Sequence, residues 1–231
     1  PGLPGLCLAL PAARRAMSVP AGGVGEVASG DAHLRETCLA TEVVEQGQFL
    51  QWRRDRVQLP DGRQAVREYV VHPGAVMIVA ALPDGRLVME RQFRYPVGRT
   101  MIEFPAGKLD PGEGGLACAQ RELLEETGYR ARRWAQAGVM HPVIGYATEF
   151  IEVWLADDLI AGERHLDDGE FLDVFAASEG ELSQWFRDGL LTDAKTVVGM
   201  MWLQQWRSGA WAPAWVSVAD AASGTPASAP E

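Results

Sequence analysis

One stretch constrains this chain more than any other. It runs Gly107-Lys-Leu-Asp-Pro-Gly-Glu113-Gly-Gly-Leu-Ala-Cys-Ala-Gln-Arg121-Glu122-Leu-Leu-Glu125-Glu126-Thr-Gly128-Tyr129. The first part, rich in Gly and Pro, reads as a loop. The second part reads as a helix over residues 116–127, stopped by Gly128 at the position where helices turn left-handed. At about 100° per residue, Glu122, Glu125 and Glu126 fall within one arc of that helix. Leu116, Ala119 and Leu123 form a neighbouring apolar stripe suited to a core.

Three carboxylates on one arc repel each other. A solvated acidic face is the ordinary explanation of such a run. Hard divalent cations with oxygen ligands would reverse the repulsion, Mg²⁺ first and Mn²⁺ as the substitute. Arg121 stands four residues before Glu125 and can pair with it, orienting the acids. The full pattern is Gly, five residues, Glu, seven residues, then Arg-Glu-Leu-x-Glu-Glu-x-Gly and a bulky apolar residue. Every fixed position is filled.

The stretch resembles the signature box of the Nudix hydrolases. The resemblance implies an α/β/α sandwich that hydrolyses a diphosphate joining a nucleoside to another group. It implies that Glu122, Glu125 and Glu126 bind metal and that Arg121 orients them. Gly107, Glu113 and Gly128 are then the structural positions of the box, with Gly107 giving a tight turn through its freedom at positive φ.

Flanking segments narrow the comparison. Arg67-Glu68, Gln92-Phe93-Arg94-Tyr95-Pro96, Glu103-Phe104-Pro105-Ala106-Gly107 and Leu190-Leu191-Thr192-Asp193-Ala194-Lys195 are similar to the ADP-ribose pyrophosphatase branch. The likeness covers residues 38–211. It implies that Arg94 contacts substrate phosphate, which suits a planar guanidinium. It implies that Arg67 and Glu68 help hold the nucleotide, often across a dimer interface. The backbone carbonyl of Ala106 becomes a further metal ligand, and Glu103 lies near the metals. Glu149 falls where the branch carries a loop glutamate that activates water. Ile144 and Phe150 stand where the branch usually has Pro and Arg, which leaves the sugar preference open.

The 231 residues suffice for one sizeable core with extensions. A net charge of −10 repels nucleic acid and anionic membranes at long range. An anionic substrate must then be drawn by local arginines or metal. The three cysteines, Cys7, Cys38 and Cys118, fit neither a disulfide framework nor a zinc site, and this predicts a cytoplasmic location. No apolar run reaches the length of about 20 residues that a membrane span needs.

The remaining chain divides into four parts. Residues 1–36 read as a flexible extension, in which Met17 resembles an alternative start and residues 1–16 have no folding role. Residues 37–72 read as an antiparallel β-meander around the turn Pro60-Asp61-Gly62, too small to stand alone and suited to a homodimer contact. Residues 73–211 form the main domain, with a surface loop at 157–169, a Ser-capped helix from Ser178 to Gly189 and a last helix over 192–208. Residues 212–231, rich in Ala, Ser and Pro, read as a disordered tail. Trp52 could stack on a base and His141 lies in the loop before Glu149, but structural roles explain both.

The sequence therefore predicts a metal-dependent hydrolase of a nucleoside diphosphate sugar, ADP-ribose to AMP and ribose 5-phosphate. Another nucleotide sugar or NADH is the alternative substrate. A binding regulator that has lost turnover is the alternative of another class.

Overall fold

The structure, a computed structural model, describes residues 31–218. It divides into two compact units: one up to residue 72 with residues 143–148, the other 73–142 with residues from 149 onward.

The first unit is a three-stranded antiparallel sheet, β1 (Thr37–Gln46), β2 (Gln51–Gln58) and β3 (Gln64–Val71), in that order. Asp61 accepts the Arg63 N–H at 3.0 Å in the β2–β3 turn, and Gly62 there has φ 86°. Buried Asp55 accepts the Tyr69 hydroxyl at 3.0 Å, which ties β2 to β3 through side chains as well as backbone. Residues 143–148 join this unit. Val70 N–H donates to the Tyr146 carbonyl and Thr148 N–H to the Val70 carbonyl, both at 2.9 Å. The extension expected to be loose up to residue 36 ends instead in one 3-10 turn, Asp31–Leu34. The rest of it, residues 1–30, lies outside the described residues.

The second unit begins with β4 (Ala75–Ala80), buried along its whole length. Its alternating side chains serve two cores. Ala75, Met77 and Val79 enter one, and Val76, Ile78 and Ala80 enter the other. β5 (Leu87–Arg94), β6 (Arg99–Glu103) and β7 (Ala106–Lys108) follow, then helix α1 (Gly115–Thr127). After it come β8 (Tyr129–Met140), β9 (Ile151–Ala161) and β10 (Leu172–Ala177). Helices α2 (Glu179–Arg187) and α3 (Ala194–Arg207) and a short β11 (Val216–Ser217) complete the unit. One sheet has the order β11-β8-β9-β4-β7, with β4 and β9 parallel and the other pairs antiparallel. The other sheet, β10-β5-β6, is antiparallel throughout.

α1 packs Cys118, Ala119 and Leu123 into one core, while Leu182 of α2 and Met200 and Leu203 of α3 enter the other. This is the expected α/β/α arrangement. Leu123 is wholly buried, and truncating such a side chain to Ala costs about 2–5 kcal/mol. The capping box at Ser178 is present, with Glu181 N–H donating to the Ser178 hydroxyl and the Glu181 carboxylate accepting the Ser178 N–H.

Two parts of the second unit differ from the expectation. Residues 157–161, placed in a surface loop, extend β9. Their polar side chains find partners on β8, where Arg133 pairs with Asp157 at 3.3 Å and the backbone register continues to Tyr129↔Ala161. The tail, expected to be irregular from 212, contributes β11, which pairs Val216 with Trp134 and Ser217 with Arg133. Trp215 beside it meets Trp206 edge to face and carries the Arg133 guanidinium over its ring at 4.7 Å. Residues 219–231 of that tail lie outside the described residues.

Candidate active site

The acidic helix is anchored from both ends. Gly128 caps it with φ 75° and donates its N–H to the Leu124 carbonyl at 2.8 Å. At the other end Gly114 offers no side-chain cap. The Glu152 carboxylate of β9 lies there instead. It accepts Gln136 Nε2 and Trp154 Nε1, each at 3.1 Å, and a Cβ built on Gly115 would stand 1.9 Å from its Oε2. A negative group at this helix end is favourable.

Arg121 is the hub of the box. Its Nε and Nη2 bind Glu113 at 3.0 and 2.9 Å, and Nη2 also reaches the Lys108 carbonyl at 3.1 Å. Its Nη1 binds Glu122 at 2.8 Å and Glu125 at 3.0 Å. The hydrogen bond from Arg121 holds the Glu113 carboxyl down at about 2, against an opposing burial effect. Glu113 also accepts the Asp110 N–H at 3.1 Å, so the loop is closed by the same side chain.

Glu122 and Glu126 have a different environment. Burial raises Glu122 to about 7 despite Arg121. Burial raises Glu126 to about 10, with Glu90 and Glu122 adding repulsion. Glu126 accepts the Ala106 N–H at 3.1 Å, which brings the backbone of Ala106 beside the helix. Gly107 follows in β7, and its role is not the one expected. Its φ is not positive. A Cβ at Gly107 would lie 1.8 Å from the Glu122 Cδ, so glycine is required for close approach of the helix carboxylate, not for a turn.

A second group of charges lies around β5 and β6. Buried Glu103 accepts Arg94 Nε at 2.7 Å and Nη2 at 2.8 Å and also pairs with Lys195. Burial alone would raise Glu103, but Arg94 and Lys195 outweigh it and hold it below the usual range. Lys195 also binds Asp193 at 2.9 Å, the residue that caps α3 by accepting the Thr196 N–H.

Glu90 is the residue that sequence reasoning missed. It is 3% exposed, and its Oε1 has no hydrogen-bond partner among the described residues. Burial, followed by repulsion from Glu103 and Glu170, raises it to about 8. Glu170, also unsingled in the sequence, accepts Gln92 Nε2 at 3.4 Å and adds to the raised values of Glu122 and Glu126. The available signal was strand alternation: Glu90, Gln92 and Arg94 continue the face that begins with buried Val88.

The other predicted residues lie as follows. Glu149 is half-buried in the segment just before β9. Arg67 and Glu68 belong to the first unit, where Arg67 Nε binds Glu36 at 2.9 Å and Glu68 accepts Arg54 at 2.7 Å. Trp52, on β2, is exposed, and His141 follows β8.

The donor set fits a hard divalent cation. It is made of carboxylate oxygens on one helix, with Glu126 buried among other acids and accepting a backbone N–H. Among the described residues, no three His, Cys, Asp or Glu side chains already form a metal cage, since Arg121 draws Glu122 and Glu125 to itself.

Comparison with known proteins agrees with this geometry. The family profile described as NUDIX domain matches residues 70–194, and that described as Nucleoside diphosphate sugar hydrolase N-terminal domain matches residues 36–70. An ADP-ribose pyrophosphatase of Bacillus subtilis (strain 168) is 36% identical over 173 residues, 74% of this chain and 94% of that protein. A methanol dehydrogenase activator of Bacillus methanolicus is 36% identical over 173 residues, covering 73% of this chain and 92% of that protein. A crystal structure of an ADP compounds hydrolase superposes with a TM-score of 0.69 at 24% identity, over 77% of this chain and 97% of that one, a likeness of fold. With the box filled from Gly107 to Gly128 and its profile spanning more than half of the residues, this chain belongs to the Nudix hydrolase family.

Proposed function

We propose that this chain hydrolyses the diphosphate of a nucleoside diphosphate sugar, ADP-ribose to AMP and ribose 5-phosphate, with Mg²⁺ or Mn²⁺. The observation that carries the reading is Glu126, a buried carboxylate that, among the described residues, has one backbone N–H and otherwise faces other acids. Such a group needs positive charge to remain ionised. The similarity to the Bacillus subtilis enzyme supports the choice of ADP-ribose.

In this reading Glu122, Glu125, Glu126 and the Ala106 carbonyl hold the cation. Bound there, it supplies fixed positive charge against the phosphate oxygens that gather negative charge. Arg121 keeps Glu122 and Glu125 in place through one nitrogen. Arg94 offers its guanidinium to the diphosphate, held in orientation by Glu103. Glu149 takes a proton from the water that attacks phosphorus. Arg67 and Glu68 contact the nucleotide. The exposed Leu39, Val43, Phe49 and Val66 of the first unit favour a homodimer. The chain would act in the cytoplasm; among the described residues no helix is long and apolar enough to cross a membrane.

The test is product analysis with ADP-ribose, other nucleotide sugars and NADH, with Mg²⁺, Mn²⁺ or a chelator. AMP from ADP-ribose, abolished by chelation, is the expected result. No hydrolysis of any substrate with either cation refutes the reading. Sedimentation at micromolar concentration tests the dimer, and a monomer refutes it.

A further inference from the structure

The outer half of β5 breaks a rule that its inner half obeys. Leu87, Val88 and Met89 are buried and apolar. The next residue inward on the face of Val88 is Glu90, equally buried. Its register partner across β6 is Glu103, another acid. Like charges directly opposite on neighbouring strands are destabilising. Glu103 has two cations of its own in Arg94 and Lys195. Among the described residues Glu90 Oε1 has no hydrogen bond; burial and the acids Glu103 and Glu170 outweigh the more distant pull of Arg94 and Lys195 on it. Val88, on the same face of β5, packs in one core with Ala119 and Leu123 of α1, and Glu126 follows Leu123 by one helical turn, so Glu90 and Glu126 continue facing surfaces and repel each other.

A purely structural strand residue here would be apolar, continuing Val88 into the core. A buried carboxylate oxygen without a donor is costly, and replacing it by a neutral amide of the same shape would cost the fold little. The arrangement makes sense if a positive group from outside the chain satisfies both Glu90 and Glu126.

We propose that Glu90 is a further member of the cation-holding set, placed by β5 to face the divalent cation together with Glu126. This rests on the cation-dependent reading above. It adds a residue that lies outside the signature box and comes from a different strand.

The test uses the full chain as wild type, Glu90→Gln, Glu90→Asp and Glu126→Gln, freed of metal by chelation. Mn²⁺ binding is read from the electron spin resonance of free Mn²⁺, and melting temperature is followed with and without Mn²⁺. Glu90→Gln should bind Mn²⁺ about tenfold to a hundredfold more weakly, while its metal-free melting temperature equals or exceeds wild type. Glu90→Asp keeps the charge on a shorter side chain and should be intermediate, which carries the test even if Glu90→Gln folds poorly. Wild-type Mn²⁺ affinity in both Glu90 variants, with affinity lost in Glu126→Gln, overturns this inference alone. A wild-type chain that takes up no Mn²⁺ overturns it together with the proposed function.

Discussion

Arg94 grips Glu103 through two parallel hydrogen bonds, at 2.7 and 2.8 Å, and Glu103 is almost wholly buried beneath it. The guanidinium is therefore fixed in plane before any ligand arrives. Lysine cannot reproduce a two-pronged contact. Arg94→Lys should lower kcat/KM by about tenfold to a hundredfold, or about 1.4–2.7 kcal/mol of transition-state stabilisation. Steady-state kinetics with ADP-ribose checks this, and unchanged kcat/KM removes Arg94 from the substrate contacts.

Gly107 and Glu122 touch so closely that no side chain fits between them. Gly107→Ala must push Glu122 away or shift β7 from α1. Overpacking of this kind costs about 1–3 kcal/mol. Thermal unfolding should show a lower midpoint, and turnover should fall further than the stability loss explains. A fully active, equally stable Gly107→Ala would contradict the contact.

Glu126→Gln separates charge from shape. The amide keeps an oxygen for the Ala106 N–H and removes the group's ability to ionise when a cation binds. Turnover should fall by about a hundredfold or more, with a melting temperature no lower than wild type. Calorimetry and product assays on one preparation decide it, and retained turnover is the losing outcome.

Glu113, which is not among the proposed metal ligands, gives a pH signature through Arg121. Its folded-state value is held down at about 2 by Arg121, below the unfolded value of about 4.3. A depressed carboxyl contributes stability above the unfolded value and loses it as pH falls through the folded one. Glu113→Gln should therefore be less stable than wild type at neutral pH. The gap should narrow below about pH 4.3 and close near about pH 2. Urea unfolding across that range tests the sign, and a gap that widens on acidification rules it out.

The helix α1, its Gly128 stop and the Arg121–Glu125 contact could all be read from spacing, because they depend on neighbours within a turn or two. The burial of β4 on both faces follows as directly from its unbroken apolar run, Ala75-Val-Met-Ile-Val-Ala80. The reason for Gly107 could not be read. Its constraint comes from Glu122, fifteen positions later in the chain and brought beside it only when β7 packs on α1. Glu90 was hidden by the usual assumption that a charged residue after an apolar run marks the emergence of a strand into water. The polar end of β9 was misread for a similar reason: Asp157 is matched by Arg133 on another strand, and a local window cannot see that match.

The short β11 occupies the free edge of β8. A chain cut after Trp211 would bare the Arg132 carbonyl, which accepts the Val218 N–H at 2.8 Å, and take Trp215 away from Trp206. An open strand rim beside uncovered indole invites a second molecule to add its own strand. The last described residues thus act as a guard against stickiness, and a shortened expression version chosen for tidiness would be the one to precipitate.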